Sequence, residues 1–119
     1  MAADPVFDLE ETLTRLDGDR ELFGELAALF LKEYRKDVET LRAALHRAER
    51  GSAASVAHRL KGSVMQFCAF MAVDIVRRTE ELCRQGDLTS ASALRPALET
   101  RLDELEKALR EALEAGRNC

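Results

Sequence analysis

The chain has 119 residues, 34% of them charged and only 5% aromatic, with two prolines, a balance that favours one domain of packed helices over a sheet fold. A formal net charge of −4 argues against a general nucleic-acid binder, which would carry a basic stripe. No apolar run approaches the ~20 residues needed to span a bilayer, which excludes a helical membrane anchor within this sequence. Cys68, Cys83 and Cys119 form neither a CxxC pair nor zinc spacing. The acidic start (Asp4, Asp8, Glu10, Glu11) has no basic-then-apolar signal segment. Together these features imply a soluble, cytoplasmic protein in a reducing compartment.

In chain order, Asp8 with Glu11 three positions on predicts the N-terminus of a short first helix, ended by Asp17-Gly18-Asp19. Asp19 then caps a long second helix of roughly thirty residues, about 45 Å. Its expected apolar stripe is Leu22, Leu26, Leu29, Phe30, Tyr34, Val38, Leu41 and Leu45, and Gly51-Ser52 is expected to break it. Ser52 is read as the cap of a third helix running to about Phe67, with Ala57, Leu60, Val64 and Phe67 on its inner face. A fourth helix is predicted from about Ala69 to Gln85, closed by Gly86-Asp87. Its inner stripe is Ala72, Ile75, Val76, Thr79, Leu82 and Cys83, and a flank stripe reads Val73, Arg77, Glu80, Arg84. The last helix carries a leucine seam: Leu94, Leu98, Leu102, Leu105, Leu109 and Leu113. Pro96 is tolerated if this helix starts near Ser92, whereas a start at Ser90 predicts a kink. The expected fold is all-α, an up-and-down antiparallel four-helix bundle with a short N-terminal helix. It is one domain over 1–119, with its core at about 7–114.

The third helix carries the unusual chemistry. At 100° per residue, His58, Lys61, Gly62 and Met65 share its outer side. An interior glycine costs a helix about 1 kcal/mol relative to alanine, so Gly62 suggests that something must approach closely. Other chemistries lack their residues. The two histidines, His46 and His58, lie on different helices, and neither has a glutamate three residues before it, as bundle metal sites require. Ser63 has no base-and-orienter arrangement, and there is no glycine-rich nucleotide loop.

What remains is a nucleophilic imidazole beside an ammonium. A neutral ring nitrogen can attack an electrophile directly. Lys61, one turn on, would disfavour protonation of the ring and then attract an added phosphoryl anion. Glu80, on the flank of the fourth helix, is available to hold the proton of the other ring nitrogen.

The segment Ala57-His58-Arg59-Leu60-Lys61-Gly62-Ser63, followed by Phe67 and Ala69, resembles the signature of histidine phosphotransfer (HPt) domains. The opening FDLEETLTRLDGDRELFGELAALFLKEY and the later RRTEELCRQGDL resemble the same family, so the resemblance covers nearly the whole chain. It implies that His58 is the phosphoacceptor, on the nitrogen farther from the backbone, with Lys61 and Arg84 beside the phosphoryl group. It also implies that Glu80 is bonded to the acceptor ring and that Gly62 leaves room for the incoming active site. Ser63 completes the segment. The implied function is a stand-alone phosphorelay intermediate that takes phosphoryl from a receiver-domain aspartate of a hybrid sensor histidine kinase. It then passes the group to a response-regulator receiver aspartate.

On this reading the chain is a carrier and not an enzyme. It has no cofactor or metal of its own, since the partner receiver supplies Mg2+ and most of the catalytic groups. Its partners are proteins, with no nucleic acid and no membrane, and it is expected to be a monomer. Cys68 stands where the family usually has glycine, which suggests a tighter or more continuous connection. Met65, at an often-small position, reads as an apolar docking contact or a plain surface residue. An alternative is a receiver-binding HPt-like module without phosphotransfer, and a third reading is a structural dimer through the last helix.

Overall fold

The structure is a computed structural model that describes residues 5–117; Asp4 and Cys119 lie outside the described residues. Five helices follow one another: α1 (Leu9–Arg15), α2 (Arg20–His46), α3 (Arg50–Met65), α4 (Phe70–Gln85) and α5 (Leu88–Arg117). Among the described residues there is no strand. Each long helix packs on its sequence neighbour, and α5 returns against α2, so α2 to α5 close into a four-helix bundle.

Both acidic caps form as the sequence predicts. Asp8 Oδ1 accepts from the Glu11 N–H at 2.9 Å, and Asp19 Oδ1 accepts from the Leu22 N–H at 2.9 Å. The short α1 closes one end of the bundle, where the Asp8 N–H donates to the Phe67 carbonyl at 3.2 Å. There the fully buried Phe67 meets Phe7, Phe23 and Phe30 edge-on, with ring centroids 5.8–6.5 Å apart. Phe67 lies beyond α3, which stops at Met65, so it plugs the bundle end from the turn and not from the helix face.

The apolar stripe of α2 differs from the predicted one in its first half. Phe23, Ala27, Phe30 and Tyr34 are buried, whereas Leu22 and Leu29 are 36% and 56% exposed. Two apolar phases one position apart compete here. The phase that carries Phe23 wins because it runs in step with Tyr34, Val38, Leu41 and Leu45 and feeds the aromatic cluster. At 27 residues α2 is about 40 Å long. In α5, Leu98, Leu102, Leu105 and Leu109 are fully buried within the bundle, so the leucine seam that suggested a dimer is already covered.

The α2–α3 connection also departs from expectation. It falls at Arg47–Glu49, and Gly51 and Ser52 belong to the first turn of α3. Glu49 is the N-cap and makes no side-chain bond. The reversal comes from Ala48 at φ 57°, after which the Glu49 N–H donates to the Ala44 carbonyl at 2.8 Å. A left-handed non-glycine residue costs roughly 1–2 kcal/mol, partly offset by the extra unfolded-state freedom of glycine. Ala48→Gly is therefore expected to stabilise the chain by about 1 kcal/mol and to raise Tm by about 3–5 °C in a thermal melt; an unchanged or lower Tm would contradict this.

Cys68 likewise adopts φ 52°, so the α3–α4 connection keeps the left-handed turn that glycine would favour and is not a continuous helix. Burial of the thiol, 2% exposed, offsets the strain. Finally, α5 begins at Leu88, with the Asp87 carboxylate accepting from the Ser90 N–H. Pro96 is thus an interior residue, and Ser92 O lacks its helical donor. The helix thus starts before both expected positions, Ser90 and Ser92. Among the described residues no helix is long and apolar enough to cross a membrane.

Candidate functional site

The site lies where α3 and α4 run side by side. Leu60, Val64 and Ala57 are fully buried and fix the roll of α3, which turns His58, Gly62 and Met65 outward. Ala72, Val76, Thr79 and Cys83 do the same for α4 and carry Glu80 to the α3–α4 seam. Glu80 was read as a flank residue; it is buried, 4% exposed.

Three groups converge on this carboxylate. His58 Nδ1 lies 3.0 Å from Glu80 Oε2. Arg84 donates to the same oxygen from Nε at 3.0 Å and from Nη2 at 2.6 Å. Lys61 Nζ stands 2.8 Å from Oε1. The last contact is an ion pair without hydrogen-bond alignment, because the buried Oε1 has no aligned donor among the described residues. His58 itself keeps 62% of its side chain exposed, while Lys61 is three-quarters covered at 25%. Burial pushes the Glu80 carboxyl up, but the contacts from Lys61, Arg84 and His58 and the Lys61 charge outweigh it and hold the group down at about 2.

An ionised carboxylate can only accept, so the ring nitrogen facing it carries the proton. In the neutral ring this leaves the Nε2 lone pair free at the surface, the geometry of a positioned nucleophile. Gly62 continues the opening: a Cβ built there meets nothing within 4 Å. Nothing inside the chain therefore requires a glycine at that position. The structure thus gathers His58, Lys61, Glu80 and Arg84 and sets Gly62 beside them. Ser63 stands apart, its hydroxyl donating back to the Arg59 carbonyl at 3.2 Å on the α2 side of α3. Among the described residues no three His, Cys, Asp or Glu side chains come together as metal ligands.

The Hpt domain family model matches residues 25–114. The chain belongs to the Hpt domain family. Its members are phosphocarriers and not kinases, and this Hpt domain is a phosphotransfer module of two-component signalling. The crystal structure of histidine-containing phosphotransfer protein B from Pseudomonas aeruginosa PAO1 superposes with a TM-score of 0.86. The match covers 95% of this chain and 98% of that one at 19% identity, which shows a shared fold. No match was found among curated proteins.

Two features near the site escaped the sequence reading. Phe70, the first residue of α4, is 64% exposed, and Met65, the last residue of α3, is 48% exposed. Arg59 pairs with the nearly buried Asp37 at 2.8 Å, which braces α3 against α2. Asp37 lies in a charged run and looks like surface until its partner is known.

The Glu80 arrangement has a consequence for acid stability. A folded-state value below the ordinary 4.5 means that the unfolded chain binds the proton more readily. The stabilisation is therefore full above about pH 4.5 and is lost as pH falls towards about 2. Full linkage would give about 3 kcal/mol, but His58 and Arg84 are well exposed and screened, which reduces it to on the order of 2. Urea denaturation at pH 7 and pH 3 should show this loss in the native chain and a smaller pH difference in Glu80→Gln. Parallel pH profiles for the two proteins would remove Glu80 from the acid response.

Proposed function

We propose that this Hpt domain carries phosphoryl on His58 Nε2, accepting it from the aspartyl phosphate of one receiver domain and passing it to the aspartate of another. The observation that supports this most directly is the His58 Nδ1–Glu80 Oε2 contact of 3.0 Å, which leaves the exposed Nε2 as the nucleophile. The Nε2 lone pair attacks phosphorus, and the P–O bond to the aspartyl carboxylate breaks with its electron pair leaving on that oxygen. The ring then becomes a phosphoimidazolium. Glu80 compensates that charge through its contact with Nδ1–H, as the buried carboxylate of a catalytic triad stabilises the imidazolium beside it. Transfer onward reverses these steps.

Lys61 and Arg84 have a role on the anionic side. In the free chain both pair with the Glu80 carboxylate, which keeps them within one side chain's reach of the ring. A phosphoryl group on Nε2 brings negative charge to them, and charge-assisted contacts to its oxygens compete with those to Glu80. The chain supplies position and charge, and the receiver supplies its acidic pocket and the Mg2+ held there. Donors of this kind are the receivers of hybrid sensor histidine kinases, and the acceptors are response regulators.

Incubation with a phosphorylated receiver and peptide mapping tests the assignment. The label should be acid-labile, alkali-stable and located on the peptide that contains His58. A label elsewhere would overturn the assignment. Receiver binding without any label would favour the non-transferring module.

A further inference from the structure

The outer face of α3 and α4 is polarised about His58. On one side, seven positions along α3 or about 10 Å, lies exposed Met65, joined by Phe70 at the start of the antiparallel α4. On the other side, eight positions or about 12 Å away, lies Arg50. Its guanidinium donates to the Arg84 carbonyl at the C-terminal end of α4 and lies 3.4 Å from where a Cβ on Gly86 would sit. The cation is thereby fixed to the α3–α4 seam. Arg50, Gly51, Ala54, Ser55 and Arg84 line an open cleft of about 340 Å³ there. Among the described residues no carboxylate pairs with Arg50, whereas Arg77 and Arg84 on the same face each have one. One end of the face is thus apolar and the other holds an uncompensated cation.

We infer that Arg50 is a specificity-determining contact for the docking receiver domain, taking a carboxylate on the receiver's surface outside its phosphoryl pocket while Met65 and Phe70 take an apolar patch. This rests on the phosphotransfer reading and adds an orientation to it. Two unlike anchors on opposite sides of His58 allow one direction of docking, because reversal sets an acidic group on Phe70 and an apolar one on Arg50. An anchor outside the reacting groups acts on encounter and affinity and leaves the chemical step alone.

The test measures initial phosphoryl transfer from a phosphorylated receiver over a range of receiver concentrations, at about 50 mM and about 300 mM salt. The proteins are the native chain, Arg50→Gln, which removes the charge and keeps a polar side chain, and Arg50→Glu. The half-saturating concentration is expected to rise about threefold for Arg50→Gln and about tenfold for Arg50→Glu at low salt, with the maximal rate unchanged. The differences should shrink at high salt, and an acidic-to-lysine change on the receiver should restore Arg50→Glu. Equal concentration dependence in all three proteins, with the native chain active, would overturn this inference alone; a native chain that takes up no phosphoryl would instead overturn the transfer reading. Self-association of the native chain that Phe70→Ser abolishes would make the face a contact between copies and overturn the inference as well.

Discussion

A His58→Gln chain is expected to take up phosphoryl from a receiver only at background level while melting within about 1 kcal/mol of the native protein. The two halves of this expectation have separate causes. The amide of glutamine has no nucleophilic lone pair comparable to that of imidazole, so bond formation to phosphorus stops. Yet the fold gains little from the imidazole. Its side chain is 62% exposed, and Lys61 and Arg84 still hold Glu80 when the ring is gone. Glutamine can also donate its amide N–H to Glu80, and it is a better helix former than histidine. His46 is the control: exposed at the last residue of α2, it should be replaceable by glutamine without loss of uptake. Gel-based transfer assays with a denaturation curve on each variant check both halves. Undiminished label on His58→Gln would show that His58 is not the phosphoacceptor.

How much of this could be read from the sequence depended on whether partners share an element. His58, Lys61 and Gly62 lie within five positions of one helix, so helical geometry alone placed them together. Glu80 was legible as a carboxylate on the flank of the fourth helix, and the structure sets its Oε2 3.0 Å from His58 Nδ1. Its burial was not legible, because a glutamate between Arg77 and Arg84 has the pattern of a solvated stripe until α3 covers it. The phase of α2 was misread where leucines and phenylalanines one position apart offered two stripes, a choice that packing on Phe67 makes and periodicity cannot. The α2–α3 turn was misplaced because Ala48 gives no sign of its left-handed backbone, while Gly51 and Ser52 advertise a break they do not make. Arg50 went unnoticed for the same reason: its partner is a carbonyl at the end of another helix, and main-chain acceptors leave no trace in side-chain patterns.

Gly62 offers a sharper separation of folding from function, since the two should move in opposite directions there. A Cβ meets nothing within 4 Å, so Gly62→Ala is expected to stabilise α3 by about 1 kcal/mol through helix propensity alone. Gly62→Gln should stabilise it by a similar amount, because the added side chain points into open space one turn beyond His58. On the proposed transfer reading, that space belongs to the receiver in the complex. A side chain that displaces the incoming phosphorus by even 1 Å costs about a hundredfold in rate. Gly62→Gln is therefore expected to raise Tm and to lower receiver-dependent transfer about a hundredfold, with Gly62→Ala intermediate. Phosphoramidate, a donor small enough to avoid the obstruction, should label His58 at the native rate in both variants and so separate steric exclusion from damage to the nucleophile. Transfer that survives Gly62→Gln unchanged would show that the receiver does not need this space. The helix would then carry an unfavourable glycine for no reason found in its own packing or in its docking.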